Sequence, residues 1–520
     1  MKMKLSLGLM CLLLIVGNTF AQKTKVSDVI KINPTNIQPI LKGDDVAGYY
    51  MFYFADKLKG GDNSYKLRIL DENLNEVAEE KIVASKYISL LEAHYNGDVL
   101  CFKFYSAKEK EITLRFYDDK AQKIYTKSYE VSKQERRMIL ANQNQGMEEI
   151  PTITPVIGKG FLVATPVKND KVGYELVFYP NSKTTKGWKY GSKKTSPLLE
   201  FITVSDVSED VIVSIVGLKS TLMSKQVEYQ ILALDANTGK ELFSRKMSAN
   251  KYEESITNTY YDSKNKEINV FGLYFKRGDN PITDKSIGIV SKTLDLTGKE
   301  KSFKYSSWAS DISKVAKGSD KAKLKDAGII YFHKFVRKDD GTFYGVGEAY
   351  KKTVSAGGSA LKVAALATGG GSGASAFQIT VTDFYIFQFD KDKNITGVKV
   401  IDKSISRVPL PSGAGIYGAQ VLAMLVKAYG GFDFEYAKTI NDGKTVAIFY
   451  KNYEKRKGEK NKTVAGVISN TNGDYIVDKI DIPTEADFVK VLPAIDGNIL
   501  FIEYYRKEKN LEFNFKKMNY

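Results

Sequence analysis

The stretch YISLLEAHYNGDVLCFKFYSAKEKEITLRFYDDKAQKIYTKSYEV, Tyr87 to Val131, divides into four strand-length runs and three polar turns. The runs are Tyr87–Tyr95, Asp98–Tyr105, Glu111–Tyr117 and Lys123–Val131, and Asn96-Gly97, Ala107–Lys110 and Asp118–Lys120 separate them. Clusters of Asn, Asp, Gly and Lys between runs rich in aromatic and β-branched residues mark hairpins. The second run is apolar on both faces apart from Lys103, while the third alternates, with Ile112, Leu114 and Phe116 on one side. A strand covered on both faces beside a half-exposed one describes a small sheet stacked between neighbours.

The same pair, an apolar strand followed by a strand running into an Asp/Asn/Gly turn, recurs eight times. Its first members are Gly48–Phe54, Val99–Tyr105, Phe161–Val167, Val211–Leu218, Ile268–Phe275, Thr342–Tyr350, Val446–Tyr453 and Ile499–Tyr505. Their partners include the turns at Asp71, Asp235, Asp295 and Asp390. A spacing of about 50 to 60 residues points to four-stranded propeller blades rather than helical solenoids. The last unit, from Phe488, stops one strand short at Tyr520, and an apolar run from Val26 to Ile32 precedes the first full unit. A blade of three C-terminal strands and one N-terminal strand would close the ring and remove its exposed edges. The expectation is an all-β fold, a β-propeller of four-stranded blades, eight by this count with seven the runner-up, filling residues 22–520 as a single domain.

The period breaks near 132–147, 310–327, 352–376 and 409–431. The first two read as helical and basic. Ser355–Ala376 is low in complexity, with Leu361, Val363 and Leu366 at its apolar centre. Gln420–Tyr429 reads as a helix closed by Gly430-Gly431. Insertions of this size sit on a propeller's rim, where they either cap an apolar patch or present one, so Leu361, Val363, Leu366, Tyr417 and Tyr429 form a candidate partner surface. An outer-membrane barrel is the competing architecture, but its strands should alternate in polarity, whereas Val211–Leu218 is almost continuously apolar.

Residues 1–21 carry Lys2 and Lys4, an apolar run from Leu5 to Val16 and a small-residue end at Ala21. This is a signal peptide pattern with cleavage between Ala21 and Gln22. The run of about 12 residues is shorter than the roughly 20 that span a bilayer. Cys11 lies inside that run behind bulky Leu9-Met10, which argues against a lipid attachment site. The expected address is export by the Sec route to the periplasm, the outer membrane surface or the medium, with no transmembrane helix in the mature chain. Cleavage removes two of the 77 basic residues and none of the 61 acids, leaving 75 and a net charge of +14. Cys101 is then the one remaining thiol, so no internal disulfide can form and an apolar core must hold the chain. Apolar content of 43% with 32 Tyr and 27 Phe suffices for such a core and rules out wholesale disorder.

The signal ending Phe20-Ala21-Gln22-Lys23, the Tyr- and Lys-rich strands and the Asp-x-Asn-x-Gly hairpin at Asp235–Gly239 resemble exported Bacteroidota proteins of unknown function with a divergent propeller-like repeat. The resemblance spans most of the mature chain and implies no catalytic residue. There is no Trp-Asp or kelch signature, and Trp188 and Trp308 stand in no repeated position.

Chemistry-bearing motifs are sparse. His94 and His333 are the only histidines, which excludes a three-histidine zinc site, and both read as structural. No nucleophile elbow, phosphate loop or dinucleotide fingerprint occurs. Asp390, Asp392 and Asn394 open like a calcium loop, but the glycine at loop position six and the closing glutamate are missing, so a solvated turn is the better reading. No cofactor is expected. The basic stretches Lys183–Lys194, Lys314–Lys325 and Lys451–Lys462 fall in loops or helices. They suit anionic envelope surfaces or polysaccharides, and export makes nucleic acid an unsuitable partner. The leading expectation is a monomeric, non-enzymatic exported scaffold that binds a protein or a glycan of the cell envelope through rim loops and channel mouth. The alternatives are a polysaccharide hydrolase or lyase with carboxylates at the propeller centre, and an assembly component at the outer membrane.

Overall fold

A computed structural model describes residues 23–518 except 141–151, 355–373, 412–418, 455–461 and scattered loop positions. Eight antiparallel sheets follow one another, each built on four strands that neighbour one another in chain order except in the last, where an N-terminal strand joins three C-terminal ones. They span 37–85 (blade 1), 88–130 (blade 2), 153–191 (blade 3), 199–246 (blade 4), 252–307 (blade 5), 329–401 (blade 6) and 434–482 (blade 7). Blade 8 takes Phe488–Pro493, Asn498–Tyr505 and Asn510–Lys517 from the C-terminus and Lys23–Val26 from the N-terminus. The first strands of adjacent blades touch all the way round, including blade 8 against blade 1. The chain is an eight-bladed β-propeller.

Its core is divided accordingly. Eight apolar clusters fill the eight gaps between blades, such as Phe52 with Phe102 between blades 1 and 2, or Phe384 with Tyr450 between 6 and 7. Each apolar second strand packs against a neighbour on both faces, so Leu100–Ser106 is buried at every residue. The outermost strands face water and are mostly polar, as in Lys123–Glu130. That gradient is why the doubly apolar run marks the repeat in the sequence.

The closing strand pairs Lys23 with Asn514 and Val26 with Leu511. It starts and ends earlier than the apolar run Val26–Ile32 suggests, because Asp28 adopts φ 63° and breaks the strand. Val29 and Ile32 still bury beside Leu511 and Phe513, and Tyr504 donates its hydroxyl to the Ile30 carbonyl at 2.7 Å.

The basic segment after blade 5 forms three short helical turns, Trp308–Ile312, Ser313–Val315 and Asp320–Lys323. Ile312, Ala316 and Leu324 bury against Phe387 and Val398 of blade 6. Helix Ala419–Ala428 ends as expected. Gly430 adopts φ 63°, its N–H reaches the Lys427 carbonyl at 2.9 Å, and Gly431 N–H reaches that of Val426 at 2.9 Å. Leu422, Ala423, Leu425 and Val426 are buried, and the helix lies on the first strands of blades 5 and 6. Its apolar side thus caps the ring there. In blade 6 the strands Phe343–Val354 and Ala374–Phe389 are unusually long, and Ser406–Pro411 joins their far end as a fifth strand. No helix among the described residues is long and apolar enough to cross a membrane.

Candidate functional site

The residues singled out in the sequence fall in three places. Ala21, Gln22, Leu361, Val363, Leu366, Tyr417 and Tyr429 lie outside the described residues. Asp390, Asp392 and Asn394 form a hairpin turn in which Asp390 accepts from Asp392 N at 2.9 Å, Asn394 N at 2.8 Å and Asn394 Nδ2 at 2.7 Å. The same geometry recurs at Asp71, Asp118 and Asp295, each closing the hairpin before an outer strand with a left-handed residue three positions on. An aspartate whose oxygens bond its own turn is explained without a cation. Among the described residues no three His, Cys, Asp or Glu come together as a metal site.

Both histidines meet a buried glutamate. Glu348, fully buried, accepts from Asp433 N and Phe434 N at 2.9 and 2.8 Å, and lies 2.7 Å from Lys403 Nζ. His333 Nε2 sits 3.3 Å from the same carboxylate, out of line for a hydrogen bond, with its ring stacked on Phe434. Glu92 repeats the arrangement across the ring. It accepts from Thr152 N and Ile153 N at 2.9 and 3.0 Å, with Lys103 at 3.6 Å and His94 at 3.3 Å. In both cases the carboxylate of one blade grips the first N–H groups of the next blade, immediately after a long inserted crossover. Blades 2 and 6 stand opposite one another in a ring of eight.

Burial opposes ionisation of both glutamates. The Lys403 ammonium, with the nearby His333, nevertheless keeps Glu348 below its usual range, and Lys103, His94 and Thr152 hold Glu92 down to about 2. Asp433 shares Lys403 at 2.8 Å but is pushed up to about 7, by burial first, despite that ammonium, with the Glu348 charge adding to the rise. Burial lowers His333. These groups are enclosed by protein and their bonds run from blade to blade, so their chemistry is that of a clamp. Cys101 is likewise buried, and burial raises its thiol.

An open cleft among the described residues lies on the rim. It measures about 750 Å³ and is bounded by the outer strand of blade 2, the outer half of blade 3 and the turn at Asn237-Thr238 of blade 4. Alternation along Lys123–Glu130 puts Tyr125 and Lys127 on one side of that strand, both facing the cleft. Lys183, Lys186 and Lys189 come from the loop and strand that follow Pro180. No Asp or Glu lines the cleft. Lys189 pairs with Glu175 at 3.2 Å, whereas Lys127, Lys183 and Lys186 are exposed and their ammonium groups have no hydrogen bond or ion pair among the described residues.

The cleft's wall is built by a repeated contact. Trp188 stacks on Phe178 at 5.4 Å, and its Nε1 donates to the Ala236 carbonyl at 3.1 Å. Gly239, at φ 69°, lies so close over the indole that any Cβ would run into it. Phe243 meets Gly298 of the following blade in the same way, and the Tyr125 hydroxyl bonds the Pro180 carbonyl. Trp188 therefore occupies a repeated place in the structure: an aromatic of one outer strand keyed to the turn of the next blade. Tyr, Trp and Phe alternate there, which hides the repeat in the sequence.

Fold and site together define an eight-bladed propeller closed by its two termini, with a basic cleft on its rim. The chain belongs to DUF6770, a family of unknown function whose model matches residues 1–519. No curated protein matches it in sequence. Among solved structures it is similar to the WD40 domain of SCAP from fission yeast, at 10% identity over 92% of this chain and 98% of that one, with a TM-score of 0.35. It is also similar to the propeller domain of the Trilobed protease from Pyrococcus furiosus, at 10% identity over 87% and 96%, with a TM-score of 0.37. An α-L-arabinanase from Penicillium chrysogenum gives 9% identity over 70% and 92%, with a TM-score of 0.31. Likeness at this level assigns none of their activities to this chain.

Proposed function

We propose that this protein is an exported, non-enzymatic binding scaffold that engages its ligand at the rim. The observation that carries the reading is the contrast between its two sets of charged groups. Glu92 and Glu348 are each committed to joining two blades through two backbone N–H groups, and the buried Glu254 is committed to Lys292 at 2.6 Å within blade 5. Uncommitted positive charge is gathered in an open cleft, where the ammonium groups of Lys127, Lys183 and Lys186 face solvent without partners among the described residues. Hydrolysis of a glycoside by the common route requires two carboxyl groups across a substrate, and this cleft is lined by none. The signal-like residues 1–21 support export, and the ring needs no second copy to close its edges.

The test joins retention to turnover. The purified chain is run through gels containing soluble polysaccharides, and the same mixtures are assayed for new reducing ends and for unsaturated products. Retardation without product is the expected result. Product release would replace this reading with the hydrolase or lyase alternative. Cell fractionation checks the address, and recovery in the cytoplasm would overturn export.

A further inference from the structure

We infer that the rim cleft between blades 2 and 4 binds an acidic oligosaccharide, a chain of sugars bearing carboxylate or sulfate groups. This rests on the rim-binding reading above and specifies its ligand. Four lysines and no acid line the cleft, and Glu175 offsets only Lys189. Ammonium groups gathered around a concavity with a low-dielectric floor attract anions more strongly than the same charges spread over a convex face. The volume of about 750 Å³ falls within the roughly 300–1,000 Å³ of small-ligand sites.

The loop that carries the lysines is anchored. Asn96 of blade 2 donates through Nδ2 to Asn181 Oδ1 at 2.7 Å, Asn181 N reaches the Lys159 carbonyl at 2.9 Å, and the Ser182 and Thr184 hydroxyls bond at 2.7 Å. Anchoring of this kind lowers the ordering cost of binding. Of the three basic stretches in the sequence, this one supplies three lysines to a single concavity. Lys323, in a second stretch, is paired with Asp402.

Other anionic polymers fit the cleft less well. Single-stranded nucleic acid is held by aromatic faces on which bases stack. Here the indole of Trp188 lies between Phe178 and Gly239, and Tyr125 is stacked on Phe116 at 4.1 Å. An acidic peptide added to a sheet would need a long unpaired edge. Of the two outer strands bordering the cleft, Trp188–Gly191 has four residues, and Lys123–Glu130 presents to it the side chains of Tyr125 and Lys127. Hydroxyl and amide groups at the margin, with Thr185 and Asn237 among them, suit a polyhydroxylated anion.

The experiment titrates the purified full chain by calorimetry with three probes: trigalacturonate, maltotriose and inorganic sulfate. Measurements at 50 and 200 mM salt compare wild type, Lys183→Ala/Lys186→Ala, Lys127→Ala and a control on another basic stretch, Lys317→Ala/Lys321→Ala. Trigalacturonate should bind at least about tenfold more tightly than maltotriose and weaken as salt rises. The double cleft variant should lose at least about tenfold, Lys127→Ala should lose part of that, and the control should match wild type. Sulfate binding as tight as trigalacturonate would reduce the site to a small-anion site and overturn the inference. Maltotriose binding that is as tight and still depends on Lys183 and Lys186 would keep the rim reading and overturn the acidic specification. If no saccharide binds, and the double variant retains the same components of an envelope extract as wild type, both fail.

Discussion

Replacing Glu348 by alanine should loosen the propeller at the junction of blades 6 and 7 before any other. The substitution leaves the N–H groups of Asp433 and Phe434 without their acceptor, and leaves Lys403, 1% exposed, with Asp433 as its one carboxylate among the described residues. Removing one partner of a buried ion pair costs about 3–5 kcal/mol. An exposed pair such as Lys246–Glu228 is worth about 0–1 kcal/mol. A ring of roughly 500 residues that melts as a unit has an unfolding entropy of about 1 kcal/mol/K. Glu348→Ala should therefore lower Tm by about 3–5 °C in scanning calorimetry, against under about 1 °C for Glu228→Ala. The effect should also be local. Hydrogen exchange of Phe434–Ile440 should accelerate by about 10²–10⁴-fold while the strands of blade 2 are unchanged. The pH dependence follows from the depressed pKa of Glu348. Its contribution is fully present above the unfolded value of about 4.3 and is lost as pH falls through the folded value, so the gap between wild type and variant should hold at neutral pH and narrow in acid. A Tm within 1 °C of the Glu228→Ala control, or exchange that accelerates equally in every blade, would refute the clamp.

Three further outcomes are expected. Glu92→Gln should destabilise the junction of blades 2 and 3; because Glu92 is held down to about 2, wild type should lose this contribution between about pH 4 and 2 while the variant shows no such step, as acid titration by circular dichroism would reveal. Gly239→Ala should cost about 1–3 kcal/mol, since it combines a left-handed backbone with a clash on the indole, and should shift Trp188 fluorescence; an unchanged spectrum and Tm would contradict the packing. Deleting residues 23–26 should bare the edge of Asn510–Lys517 and produce dimers or larger species in size-exclusion chromatography, so a monomer with unaltered Tm would show that the N-terminal strand does not close the ring.

Most of the architecture was legible because burial in a propeller is graded along each blade. Second strands are covered on both sides, so Val211–Leu218 or Leu100–Ser106 must be apolar throughout, and their eightfold return counts the blades. The missing last strand in 488–520 signalled closure by the N-terminus for the same reason: an unpaired edge needs a partner. The closing strand was displaced toward Lys23 because a single left-handed residue, Asp28, ends it, and one φ angle leaves no periodicity to read.

The site was hardly legible. Glu92 and Glu348 stand as lone acids inside apolar runs, Leu90-Leu91-Glu92-Ala93 and Val346-Gly347-Glu348-Ala349, and a charge in that setting signals a buried partner without naming it. Their partners lie 60 and 85 positions away, brought near only when successive blades pack together. The lysines of 183–189 read as a solvated stretch until the outer strand of blade 2 sets Lys127 opposite them across a concavity. Sequence by itself determined the strand repeat, the blade count and the joined ends, because each follows from local pattern and from what must be kept from water. Tertiary structure alone decided which charges are consumed by buried partners and which line an open cleft, because that depends on contacts between residues far apart in the chain.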